Sequence, residues 1–387
     1  MDTVNRFVQC RRVPPVWRFP PVWRFPPARR FPPARRFPPV RIQAPPSGLV
    51  CRKLAPRRAV LAASLALTAP FLSRFARAAE ITWRVGHSAP TEFPLHVRLV
   101  EAAGVIAARS GGQMLVEVHP NNELGSLVGL LAQLRAGTVD LAPLTGQILA
   151  KDLTAAELPM VGFAFAGYNQ LWPAIDGGLG TFVRAQFTER LGLVAMDTCW
   201  DFGFRQITTS GKHVETAANM AGLKLRTPPE GNFIEMFQAL KALPVAMPLR
   251  VVDQALRSHS IDGQESVVPL VKAAGLSDVL TVCALTNHVW DGQWLCVSGK
   301  SWAKLPPKLQ DIVAGALNES GLHQREDTAS EEAAVRQELE ASGMTFNAVD
   351  QSSFRAMLRR SGYYAARKAK MGDDGWATLQ KYAGGLT

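Results

Sequence analysis

LTNHVWDGQWLCVSG, Leu285 to Gly299, is the stretch on which the fold turns. It is strand-rich and long enough to cross from one domain into another. On its N-terminal side, ITWRVGHSAP (Ile81–Pro90) alternates and then breaks, as a strand does when it runs into a loop. HVRLVEAAGVIAARSGG (His96–Gly112) has helical spacing and a glycine stop, and MLVEVHP (Met114–Pro120) alternates again, which gives a βαβ unit. The helix SLVGLLAQLRAG (Ser126–Gly137) and the apolar strand VDLAPL (Val139–Leu144) continue it. The pattern restarts with LGLVAMDTCW (Leu191–Trp200) and GFRQITT (Gly203–Thr209), both read as long strands. NFIEMFQALKALP (Asn232–Pro244) predicts a helix, VAMPL a strand, and VVDQALRSHSIDG (Val251–Gly263) a helix followed by a turn and a strand. From Pro306 to Ser342 an Ala-, Glu-, Gln- and Leu-rich run opens on proline, as a long helix does.

Strands alternating with helices imply a mostly parallel sheet covered on both faces. Two such lobes joined by crossing strands predict an α/β clamshell with a ligand cleft between them and long C-terminal helices. The expected division is 79–201 with 291–330 for the first lobe and 202–290 with 331–387 for the second.

The formal charge of +11 invites a nucleic-acid reading until it is located. Residues 1–79 hold 16 Lys and Arg against one acid, Asp2, or +15; the remainder holds 27 bases and 31 acids, or −4. The basic character is N-terminal, so no nucleic-acid partner is expected for the folded part. PPVWRFPPVWRFPPARRFPPARRFPP (Pro14–Pro39) repeats every six residues, a composition that cannot pack a core. Residues 1–49 therefore read as disordered or as an over-extended start, with initiation near Val50. RKLAPRR (Arg52–Arg58), the apolar run AVLAASLALTAPFL (Ala59–Leu72) and the small residues ARA (Ala76–Ala78) form a secretory signal over 50–78. The Arg57-Arg58 pair also fits a twin-arginine signal loosely, so the periplasm is the expected location by the Sec or the twin-arginine route. Cys199, Cys283 and Cys296 remain after cleavage; their spacing fits neither a zinc site nor a redox pair, and no cofactor is implied.

GFRQITTSGKHVETAANMAGLKLRTP (Gly203–Pro228), then VDQALRSHSIDGQES and TNHVWDGQWLCVSGKSW, resemble the solute-binding proteins of tripartite ATP-independent periplasmic (TRAP) transporters, the C4-dicarboxylate-binding type. HPNNELGS and LRAGTVDLA are similar to further stretches of that family, and the likeness runs from about Ile81 to Ala383 in order. It implies a protein that holds an organic acid between two α/β lobes and delivers it to a membrane permease. The family's carboxylate-gripping arginine falls on Arg226, in the strand GLKLR, and a second on Arg205. Where the family has DGQENP this chain has DGQESV, which puts Ser266 in place of an asparagine and departs from a simple dicarboxylate site. A guanidinium suits the role because its planar fork makes two parallel hydrogen bonds to a carboxylate.

Further candidates are His87 and Ser88 in the first strand-to-loop turn, Thr145 and Gln147 in a later turn of the same lobe, and Trp200, Phe204, Trp290 and Trp294 as an aromatic lining. With Ser266, those aromatics favour a larger, partly apolar acid such as an aromatic or 2-oxo acid. Glu265 would repel an anion from the cleft and reads as structural. The basic tail RRSGYYAARKAKMG (Arg359–Gly372) reads as an amphipathic surface helix. Against an enzyme on the same fold, a hydrolase or dehydratase, stands the absence of an H-E-x-x-H pair, a G-x-S-x-G elbow, a P-loop or a Rossmann fingerprint. A sensor subunit presenting its ligand to a receptor is the other alternative. The family implies a monomer, with dimers built through a long C-terminal helix in some members.

Overall fold

The computed structural model describes residues 79–229 and 233–387. The repeat and export signal expected within 1–78 lie outside the described residues. The first lobe builds on β1 (Ile81–Gly86), β2 (Met114–His119) and β3 (Leu141–Thr145), with β1 parallel to both of the others. The connecting helices are Pro94–Arg109 and Leu127–Ala136. Ser126 caps the second by accepting from the Gly129 N–H, and Gly137, at φ 78°, turns the chain out in the left-handed region.

LGLVAMDTCW is not one long strand. β4 (Leu193–Ala195) stops after three residues, and the chain turns before β5 (Trp200–Thr209) begins. β6 (Lys224–Thr227), β7 (Leu243–Ala246) and β8 (Gly263–Ser266) belong to the second lobe, with β6 parallel to β7 and β8. The decisive stretch forms β9 (Val282–Ser298), a 17-residue strand. Its C-terminal half pairs with β3 and β4, its N-terminal half with β5 and with β10 (Thr345–Ala348). The sheet order β2-β1-β3-β9-β5-β8-β6-β7 therefore runs unbroken through both lobes. β9 and β5 are antiparallel, so the sheet is more mixed than expected; a strand joining two βαβ halves must return against one of them. Register shifts lie between Asp201 and Phe204 and between Arg205 and Ile207, opposite Trp290 and Val289. Such bulges bend a strand and re-aim its side chains.

The helix Pro307–Ala341, 35 residues long, spans the back of the sheet. Arg98 Nε and Nη2 reach Asp327 at 2.6 and 3.0 Å, and Trp200 Nε1 donates to the Leu317 carbonyl at 3.3 Å. One apolar core joins Trp83, Leu99, Ile106 and Leu295 to Val313 and Leu317 of this helix; another joins Leu256, Val271 and Leu280 to Val335 and Leu339. The basic tail divides into two helices, Gln351–Arg360 and Tyr363–Met371, around Gly362 at φ 79°. It is more than a surface helix. Tyr363 and Tyr364 are buried; the Gly162 N–H donates to the Tyr363 hydroxyl at 3.2 Å, and the Tyr364 hydroxyl donates to the Gly162 carbonyl at 3.0 Å. The cysteines Cys199, Cys283 and Cys296 are buried and free.

Candidate functional site

A cavity of about 490 Å³ opens between the loops at the ends of β1, β2 and β3 and the second-lobe segments that follow β6 and β7. That is within the range of roughly 300–1,000 Å³ common for small-molecule sites. Ser88, Asn122, Ser126, Thr145 and Gln147 give one wall its hydroxyl and amide groups, with Leu127, Val128 and Ile148 between them. Arg205, Pro228, Phe233, Arg250 and Asp291 form the other. Arg205, Phe233 and Asp291 are buried and make the floor, while Asn122, Ser126, Val128 and Arg250 are exposed and make the rim. A smaller recess of about 100 Å³ shares Ser88, Leu127, Thr145 and Asp291 with it and adds His87, Phe202 and Gln293.

Thr145 ends β3, and the chain must turn sharply to bring Gln147 onto the same wall. Gly146 makes that turn possible: a Cβ there would overlap the Ala156 carbonyl oxygen. Glycine alone allows this approach.

Arg205 is the charged centre of the floor. Its Nε and Nη2 form a fork on Glu265, at 2.6 Å to Oε2 and 2.9 Å to Oε1, and Nη2 also reaches the Glu265 carbonyl at 3.3 Å. Nη1 donates to Asp291 Oδ2 at 2.6 Å. A guanidinium has five N–H groups; four are engaged here, which leaves one on Nη1. The guanidinium also stacks over Phe233, 4.8 Å from the ring centroid. Behind it, His288 Nε2 lies 3.2 Å from Glu265 Oε2, and His288 Nδ1 lies 2.8 Å from the Thr286 hydroxyl.

The protonation states follow from this packing. Burial works against the Arg205 charge, but Glu265 and Asp291 outweigh it and push its pKa up. Burial raises the Glu265 carboxyl, yet Arg205 and His288 hold it below the usual carboxylate range. Asp291 goes the other way: burial lifts it above its ordinary value despite Arg205. Burial lowers His288, so the imidazole is neutral. His87, buried beside His96 with the rings' Nε2 and Nδ1 3.1 Å apart, is lowered to about 4, first by burial and then by its neighbour.

Ser88, Thr145, Gln147 and Arg205 thus meet on the cavity wall, and His87 joins Ser88 and Thr145 in the recess. Arg226 is 5% exposed, not turned to bulk water; it sits on β6 opposite Val245 and Gln264, and its Nε donates to the Met247 carbonyl at 2.9 Å. It lies two residues before the wall residue Pro228 but is not itself on the wall. Ser266 is buried on β8 opposite Gln206 and also stands off the wall. Trp200, Phe204 and Trp290 are turned into the core. Trp290 donates to Asp201 Oδ1 at 2.7 Å and packs edge-on against Trp172; Trp294 packs on Phe187. The aromatic lining expected of them is supplied by Phe233 alone among the described wall residues. The sequence reading missed Phe233, Asn122, Ser126, Arg250 and Asp291 as wall residues. Asp291 did leave a signal, an acid in the middle of an apolar strand.

A clamshell with a polar, guanidinium-bearing cavity between its lobes is a solute-binding architecture. Residues 85–367 match the model of the bacterial extracellular solute-binding protein family 7, and the chain belongs to that family. A solute-binding protein of Roseobacter denitrificans is 29% identical over 297 residues, 77% of this chain and 90% of the relative. The crystal structure of that same protein, a TRAP periplasmic solute-binding protein solved with bound L-galactonate, matches with a TM-score of 0.69 at 26% identity over 79% of this chain and 99% of its own. The 2,3-diketo-L-gulonate-binding periplasmic protein of Escherichia coli is 24% identical over 66% of this chain and 79% of its own length. A TRAP solute-binding protein of Ochrobactrum anthropi shares the fold with a TM-score of 0.74, at 24% identity over 79% and 96% of the two chains. The family consists of transporter binding proteins, not enzymes.

Proposed function

We propose that this protein captures a hydroxylated organic acid in the 490 Å³ cavity and presents it, in the periplasm, to a TRAP-type membrane permease. The observation that carries the reading is the wall itself: a guanidinium and an aspartate on the floor, faced by three hydroxyls and two amides. Hydroxyls of a sugar-like acid find donors and acceptors on Ser88, Asn122, Ser126, Thr145 and Gln147, and an acceptor in Asp291. An aromatic acid would leave those groups unpaired, which is costly in a closing cleft. Relatives fit this class: one was solved with L-galactonate, and others are named for 2,3-diketo-L-gulonate and sialic acid.

The carboxylate is assigned to Arg226, and the remaining Nη1 hydrogen of Arg205 is held as a further donor to the bound acid. Gln264, the register partner of Arg226 on β8, supports this end as a polar subsite; both of its side-chain amide atoms are buried without a partner among the described residues. Ser266 and His87 are held as contacts at the margin of the site. The lobes, 79–201 with 291–330 and 202–290 with 331–387, change over at the register shifts of β5, where a hinge would act. The protein acts as a monomer in this reading, and a thermal-shift screen tests it. Aldonates and uronates at a hundred times their Kd should stabilise by about 2.7 kcal/mol, several degrees in Tm. Shifts from aromatic acids or neutral sugars alone would overturn it.

A further inference from the structure

The basic tail places one of its charges where solvent does not reach. On the helix Tyr363–Met371, Lys368 and Lys370 stay half in solvent, while Arg367 is 3% exposed. Arg367 lies in the seam where the two cavity walls meet, beside a gap of about 10 Å³ that has room for one water at most. Gln147 from one wall and Phe233 from the other border that gap, together with Met236 and Tyr363. Arg367 itself is not on the cavity wall.

Two carboxylates meet the guanidinium in the seam. Nη2 lies 3.1 Å from Glu235 Oε2 and Nη1 lies 3.7 Å from Glu157 Oε2; Lys370 Nζ is 3.4 Å from the same Glu157 oxygen. Each acid is tied to one wall. Glu157, buried in the 3₁₀ helix Thr154–Met160, directly follows Ala156, whose carbonyl packs against the Gly146 turn between Thr145 and Gln147. Glu235 lies two residues from Phe233 on the helix Phe233–Ala239, and Phe233 is the ring under the Arg205 guanidinium. On the same helix Met236 packs so closely on Gly162 that a Cβ there would lie 2.3 Å from its sulfur. Packing alone does not demand a charge at such a seam. Apolar side chains of similar volume often stabilise as well as a buried ion pair, and one use of the pair is to fix which groups face each other. One planar guanidinium satisfies acids on two separate segments only over a narrow range of spacings.

We propose that Arg367 is a positioning residue for the solute: by pairing with Glu157 and Glu235 at once, it holds the Gln147 and Phe233 walls at the spacing that binds the acid, without touching the acid. The inference rests on the reading of the cavity as the acid site and adds a residue behind it.

The test is titration calorimetry of the mature protein with L-galactonate, gluconate and glucuronate, at a temperature where circular dichroism shows every variant folded. Arg367→Met should weaken the tightest of these acids by roughly tenfold. Combined with Phe233→Ala it should lose less than the product of the two single losses, because Arg367 acts through Phe233. Glu235→Gln, at an exposed side chain, should weaken binding by about threefold with little change in Tm. Arg367→Lys should fall between Arg367→Met and wild type, since an ammonium keeps the charge but offers no fork. A residue that only stabilises the fold would lower Tm and leave Kd unchanged. Arg367→Met and Glu235→Gln both within about twofold of wild type, or losses that simply multiply with that of Phe233→Ala, overturn the inference and leave the acid site standing. Should Arg367→Met fail to fold, Glu235→Gln decides alone. If no aldonate or uronate binds the wild type, the cavity reading fails and the inference falls with it.

Discussion

Replacing Arg205 with methionine tests the electrostatic centre of the cavity most severely. The substitution keeps the apolar stem of the side chain but leaves two buried carboxylates, Glu265 and Asp291, without the guanidinium that holds them at 2.6 Å each. Removing one partner of a buried ion pair typically costs about 3–5 kcal/mol, because the remaining charge is desolvated and unpaired. At roughly 2–4 °C per kcal/mol, Tm should fall by about 6–20 °C at pH 8. The pH dependence has a definite sign. Without Arg205, burial lifts both carboxyls in the folded state, so the native protein binds more protons than the unfolded chain and stability recovers as pH falls. Circular dichroism melts at pH 5 and pH 8 measure both effects, and the deficit should be clearly smaller at pH 5. Arg205→Met combined with Glu265→Gln and Asp291→Asn should restore most of the loss, since charge burial is then removed. A single variant that melts within about 2 °C of wild type at pH 8, or a deficit unchanged at pH 5, would refute this account of the floor.

Other outcomes follow from the same geometry. Glu332, on the long helix, is lifted to about 7 by burial and by Asp201, with Arg336 opposing. The folded state thus keeps a proton that the unfolded chain releases near 4.5, and stability should fall by about 1–3 kcal/mol as pH rises from there through 7. Glu332→Gln should flatten that decline in urea midpoints taken from pH 5 to 8; an unchanged slope would count against it. Gly146→Ala should drive the chain off the Ala156 carbonyl, displace Thr145 and Gln147, and weaken ligand binding by tenfold or more in titration calorimetry. Arg226→Ala should weaken acid binding by roughly thirty-fold or more, from a lost charge partner worth about 2–5 kcal/mol. Arg226→Lys should also bind worse than wild type, because the fork is gone; affinity equal to wild type in the lysine variant would mean that charge alone matters.

Much of this was legible in the chain. Leu285–Gly299 announced the crossing strand because it holds no proline and, before its last residue, no glycine except Gly292, and Pro306 marked the start of the long helix. LGLVAMDTCW misled because its apolar residues continue through a turn, and the break at Asp197–Thr198 has no glycine or proline to mark it. The tryptophans of β5 and β9 misled for a related reason. When a strand is buried on both faces, alternation no longer says which face meets a cleft and which meets a core. Arg205 could be placed but its partners could not, since Glu265 and Asp291 are 60 and 86 residues away. Arg250 stayed silent because an arginine in a polar turn looks like any solvated one.

The most direct measurement is a crystal structure of the mature protein grown with a hydroxylated acid that the thermal screen has identified. The account predicts the acid between the Ser88–Thr145–Gln147 wall and the Arg205–Phe233 wall, with a carboxylate on Arg226. An acid found outside that cavity, or inside it with no guanidinium in contact, would contradict it.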